Sequence, residues 1–290
     1  MSESFPDMSD AHVIAAPAKT NLWLRVLGKR DDGYHEIDTR MVQLGLEDFV
    51  RLKWRDDDEV VLRCSDPELP TGEDNLVMKA VRALERHTDK VFSLSIDLEK
   101  HIPSGAGLGG GSSDAAAVLR ALNTMASLGL AEDELAAVGA TIGSDVPFFL
   151  YDRPCDCRGR GEIVVPIPAD QAPPSLPVFL YKPAFGIAAA WAYRRYAESA
   201  KYEGFPYAPQ PGPWGTMVND LERPVFEKFP VLGDMKAWLL AQSGVRAALL
   251  SGSGSTMLAV LEEGADAAEL GRATRERYGE SGWTWAGRTA

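Results

Sequence analysis

Alternation of apolar and polar residues predicts several strands in the first part of the chain. In residues 92–98 every second residue, from Phe92 to Leu98, is apolar, and a period of two is typical of a half-buried strand. The same pattern predicts strands at 13–16, 22–27, 49–54 and 60–64. It places Val50, Leu52 and Trp54 on the inward face. The apolar pattern stops at 17–21, which predicts a break between the first two strands, and residues 1–11 are predicted to be a polar tail.

Apolar residues at helical spacing alternate with these strands. Asp74 is predicted to cap a helix whose apolar face includes Val77 and Leu84. A second helix follows residue 114 and ends near Gly129, and a third covers Leu135 to residue 142. The first half of the chain is therefore predicted to mix strands and helices.

A proline-rich stretch at 166–177 predicts a domain boundary, giving domains at 1–165 and 166–290. Beyond it the sequence predicts a strand at 178–181, a helix at 188–197, a loop at 204–215, helices at 217–229 and 234–242, strands at 246–250 and 257–261, a helix at 265–278 and a strand at 283–285. With the extra helices set aside, this order is β-α-β-β-α-β, the ferredoxin-like pattern.

The stretch IPSGAGLGGGSSD, residues 102–114, lies between a predicted strand and a predicted helix. Glycine and alanine leave the backbone amides accessible, and amides that lead into a helix N-terminus attract an anion. Ser112 and Ser113 add hydroxyls for a phosphate or its Mg²⁺. A flexible linker is the alternative, but linkers seldom join a regular strand directly to a helix.

Two familiar glycine loops do not explain this stretch. Gly105, Gly107 and Gly110 fit G-x-G-x-x-G, but the strand and acidic residue of a dinucleotide fold do not follow. A Walker A loop needs a lysine after its glycines, and here Ser-Ser-Asp follows. A cation for bound phosphate must therefore come from elsewhere in the chain.

Composition narrows the classes of partner. The chain has 290 residues, 45% of them hydrophobic, and a net charge of −12, which argues against nucleic acid or an anionic membrane as the main partner. Three cysteines form no disulfide framework and indicate a reducing, cytoplasmic location. The histidines and cysteines form no metal motif. The N-terminus has no signal-peptide pattern, and no apolar run is long enough to span a membrane.

Four further residues each allow two interpretations. Lys19 interrupts an apolar pattern and is either a solvated lysine or the missing cation. Asp145 lies between Gly-Ser and a strongly apolar run, as a turn acid or as a carboxylate used in chemistry. Tyr34 and His35 follow a glycine-rich turn, as packed side chains or as ligand contacts.

Three strings in this order resemble the motifs of the GHMP kinases. They are PAKTNL near the N-terminus, IPSGAGLGGGSSDAA in the middle and SGSGST near the C-terminus. The longer string PAKTNLWLRVLGKRDDGYHEIDT, with GSDVPFF and GRGE, resembles the branch that acts on CDP-methylerythritol in the non-mevalonate isoprenoid pathway. The resemblance covers most of residues 13–262.

The resemblance implies an α+β, two-domain GHMP kinase fold. Its N-terminal domain would be ribosomal protein S5 domain 2-like, its C-terminal domain ferredoxin-like, and its active cleft would lie between them. It implies ATP-dependent phosphorylation of a tertiary alcohol, with Mg²⁺ accompanying ATP, and Lys19 and Asp145 as the catalytic pair. The residues that match the ATP loop are Pro103, Ser104, Gly105, Ala106, Gly107, Leu108, Gly109, Gly110, Gly111, Ser112 and Ser113.

The acceptor site is also implied by the resemblance. Tyr34 and His35 match a cytosine pocket, Asn21 and Lys100 match acceptor contacts, and Tyr193 is the candidate aromatic that closes over the base. No carboxylate is assigned to the metal. The implied partners are ATP and CDP-methylerythritol, with the chain a monomer or a weak homodimer. Another small-molecule kinase, for homoserine or mevalonate, and a non-catalytic nucleotide sensor are the alternatives.

Overall fold

The structure is a computed structural model that describes residues 7–212 and 214–290. The part of the predicted polar tail at 1–6 lies outside the described residues. The strands are β1 (His12–Lys29), β2 (His35–Trp54), β3 (Val60–Cys64), β4 (Leu94–Glu99), β5 (Cys155–Arg158), β6 (Ile163–Pro166), β7 (Pro177–Lys182), β8 (Gln210–Gly212), β9 (Gly215–Asn219), β10 (Val245–Leu250), β11 (Met257–Leu261) and β12 (Trp283–Arg288).

The helices alternate with these strands. They are α1 (Leu76–Thr88), α2 (Gly110–Met125), α3 (Glu132–Ala140), α4 (Ala189–Tyr196), α5 (Glu222–Lys228), α6 (Pro230–Leu240) and α7 (Ala267–Tyr278), with a short 3-10 helix at Pro147–Leu150. None of the described helices combines the length and apolar composition needed to cross a bilayer.

The chain forms two compact units. Unit 1 contains the described residues up to Ala18 together with Glu47–Ile102 and Gly109–Asp152, and unit 2 contains Lys19–Leu46, Pro103–Leu108 and Arg153–Ala290. Strands β1 and β2 each contribute residues to both units. The boundary at residue 165 that the sequence predicts stays a prediction.

Unit 1 is built on a small mixed sheet covered by helices. β4 pairs antiparallel with the last residues of β2, from Phe49 to Trp54, and parallel with β3. The helices α1 and α2 pack together, and Val77 and Leu84 of α1 are fully buried. This confirms the apolar face predicted for α1.

Unit 2 contains a four-stranded antiparallel sheet in the order β10-β11-β7-β12. Numbered within this sheet along the chain, the order is 2-3-1-4, as a β-α-β-β-α-β unit produces. The core beside it includes Phe179, Phe226 and Leu250. The ferredoxin-like arrangement predicted from the sequence is therefore confirmed. The helix α6 contacts β10 and β11 of this sheet, and α4, α5, β8 and β9 are additional elements between the first two strands.

Other strands of unit 2 carry the candidate site residues. β9 pairs parallel with β1, with Val218 opposite Trp23 and Asn219 opposite Leu24. β5 pairs antiparallel with the first part of β2, where Cys157 lies opposite Thr39. β1 lies between β2 and β9 in the sheet order, which places its polar residues inside the fold.

The predicted break at 17–21 is wrong, because β1 continues through it. Lys19, Thr20 and Asn21 are all buried there. The apolar pattern stops, but the strand does not, since these polar groups have hydrogen-bond partners within the fold. A buried polar side chain is tolerated when it is hydrogen-bonded.

Three other local predictions need correction. The N-cap of α1 is Asn75, whose Oδ1 accepts from the amide of Val77 at 2.9 Å, and not Asp74. Trp54 is 45% exposed because it is the last residue of β2. The strand itself begins at His35, well before the predicted residue 49.

The helix predicted at 217–229 begins later than expected. Its first residues belong to strand β9, and helix α5 starts only at Glu222. The change occurs at Asn219, whose Oδ1 accepts from the amide of Leu221 at 2.9 Å. The side chain of Asn219 thus stabilises the turn that ends the strand.

Candidate active site

Lys19 is a buried cation inside β1, with only 5% of the residue exposed. Its Nζ donates to Oδ1 of Asn21 at 3.0 Å, and Nδ2 of Asn21 donates to Oγ1 of Thr39 at 2.7 Å. Thr39 donates in turn to the carbonyl oxygen of Trp23 at 2.6 Å. This chain of hydrogen bonds fixes the direction of the ammonium group.

The first glycine loop, Pro103–Leu108, packs directly against the second, residues 251–256. Gly107 has a φ of +76°, and a Cβ added to it would overlap the carbonyl oxygen of Ser251 and lie 2.9 Å from the amide nitrogen of Gly254. Oγ of Ser251 also donates to the carbonyl oxygen of Gly107 at 3.3 Å. Only glycine fits at position 107, for both conformation and space.

Carbonyl groups of the first loop are taken up by the fold. Those of Gly105, Ala106 and Leu108 accept from the amides of Ile187 at 3.4 Å, Thr256 at 3.3 Å and Lys19 at 2.9 Å. In contrast, the amides of Gly105 to Leu108 have no acceptor among the described residues. A loop fixed through its carbonyl groups, with its amides available, is suited to bind an anion.

The second half of the loop begins helix α2. Gly109 is the N-cap, with a φ of +75° and no side chain that could cap the first turn. Oγ of Ser113 is buried and has no hydrogen-bond partner among the described residues. The first-turn amides can donate to a phosphate group, and the buried, unpartnered hydroxyl can bind a phosphate oxygen or its metal ion.

Lys100 lies in a buried ion cluster. Its Nζ contacts Oδ2 of Asp48 and lies 2.6 Å from Oδ2 of Asp114 in α2. Oδ1 of Asp48 accepts from the amides of His101 at 2.5 Å and Ile102 at 2.8 Å. Lys100 therefore ties the end of β4 to the start of α2, and the acceptor contact predicted for it stays a prediction.

Two carboxylates share this one ammonium group. Burial, together with the neighbouring charge of Asp48, raises the pKa of Asp114 to about 7, although Lys100 acts in the opposite direction. Burial alone would lower the pKa of Lys100, but the two carboxylates outweigh it and raise that pKa. Oδ1 of Asp114 is buried and unpartnered among the described residues.

Asp145 lies in the segment between α3 and the 3-10 helix, just before Val146 and Pro147. Pro147 begins the short helix, and Val146 is fully buried, so the chain around Asp145 is fixed on one side. Asp145 belongs to unit 1 and Lys19 to unit 2, and their predicted pairing stays a prediction.

The aromatic residues predicted for the acceptor lie in unit 2. The rings of His35 and Tyr193 are stacked, with centroids 5.8 Å apart and an interplanar angle of 29°. Tyr34 is 52% exposed, and the guanidinium of Arg160 lies 5.0 Å above its ring. Burial, and to a smaller extent Lys29, lowers the pKa of His35, so its imidazole is neutral near pH 7.

Comparison with known proteins identifies the family. The models for the GHMP kinases N terminal domain and the GHMP kinases C terminal match residues 75–153 and 209–280. A 4-diphosphocytidyl-2-C-methyl-D-erythritol kinase of Syntrophotalea carbinolica is 37% identical over 273 residues, which cover 92% of this chain and 95% of the relative. The chain belongs to the 4-diphosphocytidyl-2-C-methyl-D-erythritol kinase family.

Solved structures agree with this assignment. A crystal structure of 4-(cytidine 5'-diphospho)-2C-methyl-D-erythritol kinase has a TM-score of 0.75 and 32% identity, covering 96% of this chain and 99% of the other. The homoserine kinase from Cytophaga hutchinsonii has a TM-score of 0.71 at 17% identity, with coverage of 100% and 97%. That second likeness shows the fold alone, the GHMP kinase fold.

The described residues contain no cluster of side-chain metal ligands and no disulfide. Within residues 7–212 and 214–290, no group of three or more His, Cys, Asp or Glu side chains could hold a metal ion. Cys64, Cys155 and Cys157 form no disulfide bond. The hydroxyl of Ser113, buried and unpartnered among the described residues, is an oxygen ligand that fits a metal ion accompanying ATP.

The sequence pattern did not reveal several residues that hold this site. Asp114 follows the serines of the loop directly, so its position was a usable signal. Asp48 and Asn219 lie in unremarkable polar stretches, and only the fold brings each to its loop. The contact between the Arg160 guanidinium and the Tyr34 ring was also not predicted, although Arg160 lies in the GRGE string.

Proposed function

We propose that this protein transfers the γ-phosphoryl group of ATP to the 2-hydroxyl of 4-diphosphocytidyl-2-C-methyl-D-erythritol in the non-mevalonate pathway to isoprenoid precursors. The observation that carries this proposal is the match, over nearly the full chain, to relatives named for this kinase. The relative from Methylacidiphilum infernorum is 39% identical over 249 residues. The phosphate-binding geometry of the first glycine loop supports the same reaction.

In this proposal, residues 103–113 bind ATP. The available amides of Gly105 to Leu108, and those in the first turn of α2, would donate to the phosphate oxygens of ATP. The phosphate oxygens of ATP and nearby hydroxyl groups would hold Mg²⁺, which would supply positive charge for phosphoryl transfer. Ser113, and the half-buried Ser112 beside it, would contribute hydroxyl ligands or hydrogen bonds.

Lys19 and Asp145 are proposed as the catalytic pair. Asp145 would accept the proton of the attacking hydroxyl, or hold that hydroxyl in line with the phosphoryl group. Lys19 would stabilise the negative charge on the γ-phosphoryl oxygens. The hydrogen bond from Lys19 to Asn21 supports this role, because it helps to hold the buried ammonium group in a defined position.

The cytidine end of the acceptor is proposed to bind at Tyr34, His35 and Tyr193. A stacked pair of rings offers a flat surface for a base. A neutral His35 has one ring nitrogen that donates and one that accepts, which suits the edge of cytosine. Asn21, beside Lys19, is the proposed contact for the polyol, and Lys100 is retained as a weaker candidate.

The proposal also covers the cellular location, oligomeric state and partners of the enzyme. Three cysteines without a disulfide, two of them fully buried, fit a reducing compartment. We propose that the enzyme is cytoplasmic and is a monomer or weak homodimer. Its proposed partners are the two small-molecule substrates.

The decisive experiment is a coupled ADP assay with 4-diphosphocytidyl-2-C-methyl-D-erythritol as the sole acceptor. We expect ADP release that depends on this acceptor, and a product phosphorylated at the tertiary 2-hydroxyl, identified by phosphorus NMR. Homoserine and mevalonate serve as parallel acceptors. Turnover of either, without turnover of the cytidine compound, would overturn the proposed substrate, and ATP binding without any turnover would indicate a sensor.

A further inference from the structure

The side chain of Asn219 is fully used in holding the second glycine loop. Its Nδ2 donates to the carbonyl oxygens of Leu250 and Gly252, both at 2.7 Å, and its Oδ1 accepts from the amide of Leu221. Asn219 is 3% exposed. Since both donors of the amide are occupied, its task is to connect the end of β9 to the loop at 251–256.

Gly252, held in this way, forms one wall around the Lys19 ammonium. A Cβ added to Gly252 would lie 3.3 Å from Nζ of Lys19, 3.5 Å from Oδ1 of Asn21 and 3.1 Å from the carbonyl oxygen of Gly107. Its φ is +53°. A small shift of Gly252 would therefore displace the ammonium group of Lys19.

Asn219 is also anchored to the strand that carries Lys19. It lies opposite Leu24 in the parallel pairing of β9 with β1. One side chain thus fixes the distance between the strand that carries the ammonium and the loop that borders it. A direct role in chemistry is not needed for Asn219 to affect the rate.

We propose that Asn219 is a positioning residue for Lys19, acting through Gly252. This inference rests on the proposed function, because it assigns Lys19 to the transition state of phosphoryl transfer. Misplacement of a catalytic group by about 1 Å can cost roughly 100-fold in rate. Loss of the Asn219 contacts should therefore lower kcat more than it changes the KM for ATP.

The chain offers a matched control in Gln210. Its Nε2 donates to the carbonyl oxygen of Ala248 at 2.8 Å, and its Oε1 accepts from the amide of Ala248 at 2.9 Å. Ala248 lies in β10, the same strand that ends at Leu250. Asn219→Asp and Gln210→Glu therefore make the same chemical change at the same strand, but only the first removes a contact with the loop.

The experiment measures Tm, kcat and the KM for ATP of the full-length variants. We expect Asn219→Asp to lower kcat by about 10- to 100-fold with the KM for ATP changed less than threefold. Gln210→Glu should lower Tm and keep kcat within twofold of wild type. Where Asn219→Asp does not fold, Asn219→Ala is the replacement, because it removes the donors without placing a carboxylate against two carbonyl oxygens.

A double-mutant cycle separates positioning from general destabilisation. In a Lys19→Ala background, Asn219→Asp or Asn219→Ala should lower the residual kcat by less than threefold, since the group that it positions is absent. Full additivity with Lys19→Ala, or an equal loss of kcat in Gln210→Glu, overturns the proposal. If neither Asn219→Ala nor the double variant Lys19→Ala/Asn219→Ala folds, the proposal is also overturned, because Asn219 then has a structural role.

The test of Asn219 and the test of the proposed function give independent results. The ratios between variants need only an acceptor that the wild type phosphorylates. The identity of that acceptor decides the proposed function, and the ratios decide the role of Asn219.

Discussion

Nζ of Lys100 lies 2.6 Å from Oδ2 of Asp114, and Asp48 contacts the same ammonium group. Both carboxylates are buried. One cation cannot neutralise two buried anions, so one carboxyl group is driven to keep its proton. This relationship links the acidity of Asp114 to the stability of the segment that begins the phosphate loop.

The pH dependence of stability should therefore change in Asp114→Asn. The pKa of Asp114 is raised from 3.8 to about 7 in the folded chain, so the folded state binds more protons between these values. The contribution of this group to the free energy of unfolding thus decreases as the pH rises from about 4 to about 7. The Tm of Asp114→Asn minus that of wild type should increase over this range and level off above it, as measured by calorimetry.

Asp48→Asn is the comparison for this measurement. Asp48 accepts from the amides of His101 and Ile102 as well as contacting Lys100. Its replacement should lower Tm more than Asp114→Asn does at pH 8, because the amides lose a charged acceptor. A Tm difference for Asp114→Asn that is constant from pH 4 to pH 8 would show that Asp114 does not titrate in this range.

Gly107→Ala should weaken ATP binding. The added Cβ would overlap the carbonyl oxygen of Ser251 in a residue with a φ of +76°, so the two glycine loops must separate. We expect the KM for ATP to rise about tenfold or more, since a shift of both loops misdirects the amides that bind phosphate. Steady-state kinetics with ATP as the varied substrate check this.

Gly129→Ala separates backbone strain from the effect of the clash. Gly129 has a φ of +69° but no atom within 4 Å of an added Cβ. Its replacement should cost about 1–2 kcal/mol of stability and leave the KM for ATP unchanged. An equal rise of KM in both variants would contradict the role given to the contact between Gly107 and Ser251.

Tyr193→Ala should weaken acceptor binding without affecting ATP. Tyr193 stacks on His35 at a centroid distance of 5.8 Å, and a base stack contributes about 1–3 kcal/mol. The KM for the cytidine substrate should rise about 5- to 150-fold, with the KM for ATP within twofold. Tyr202→Ala is the control, because Tyr202 is half exposed and stacks on Phe205 instead. Similar acceptor KM values in both variants would remove Tyr193 from the pocket.

The sequence predicted elements whose periodicity reports burial directly. β3 and β11 were predicted with their observed bounds, because short apolar strands between polar turns have few alternatives. The break predicted at Lys19 failed for the opposite reason. There the strand is stabilised by hydrogen bonds between side chains that lie far apart along the chain, such as those of Asn21 and Thr39, and periodicity does not report them.

In the candidate site, too, some residues could be predicted from the sequence and others could not. The glycine loop and Lys19 were evident because glycine and an isolated charge are conspicuous in an apolar sequence. Asn219 was not, since an asparagine after Met-Val has many ordinary uses. Its role depends on parallel pairing of β9 with β1 and on contacts to a loop more than 30 residues away, at Gly252.

Asp145→Asn tests the chemistry most directly. If the carboxylate accepts the proton of the attacking hydroxyl, or orients that hydroxyl, the amide should lower kcat by roughly 10²- to 10⁴-fold. ATP affinity should change little, because residues 103–113 are proposed to hold ATP. Isothermal titration with a non-hydrolysable ATP analogue and steady-state kinetics check the two parts.

Asp133→Asn provides the control for this substitution. Asp133 is also a carboxylate of unit 1, and it accepts from the hydroxyl of Tyr151 at 2.8 Å. Its amide variant should keep kcat within twofold, since Asp133 has no place in the proposed reaction. A wild-type kcat in Asp145→Asn would exclude Asp145 as base or orienting group.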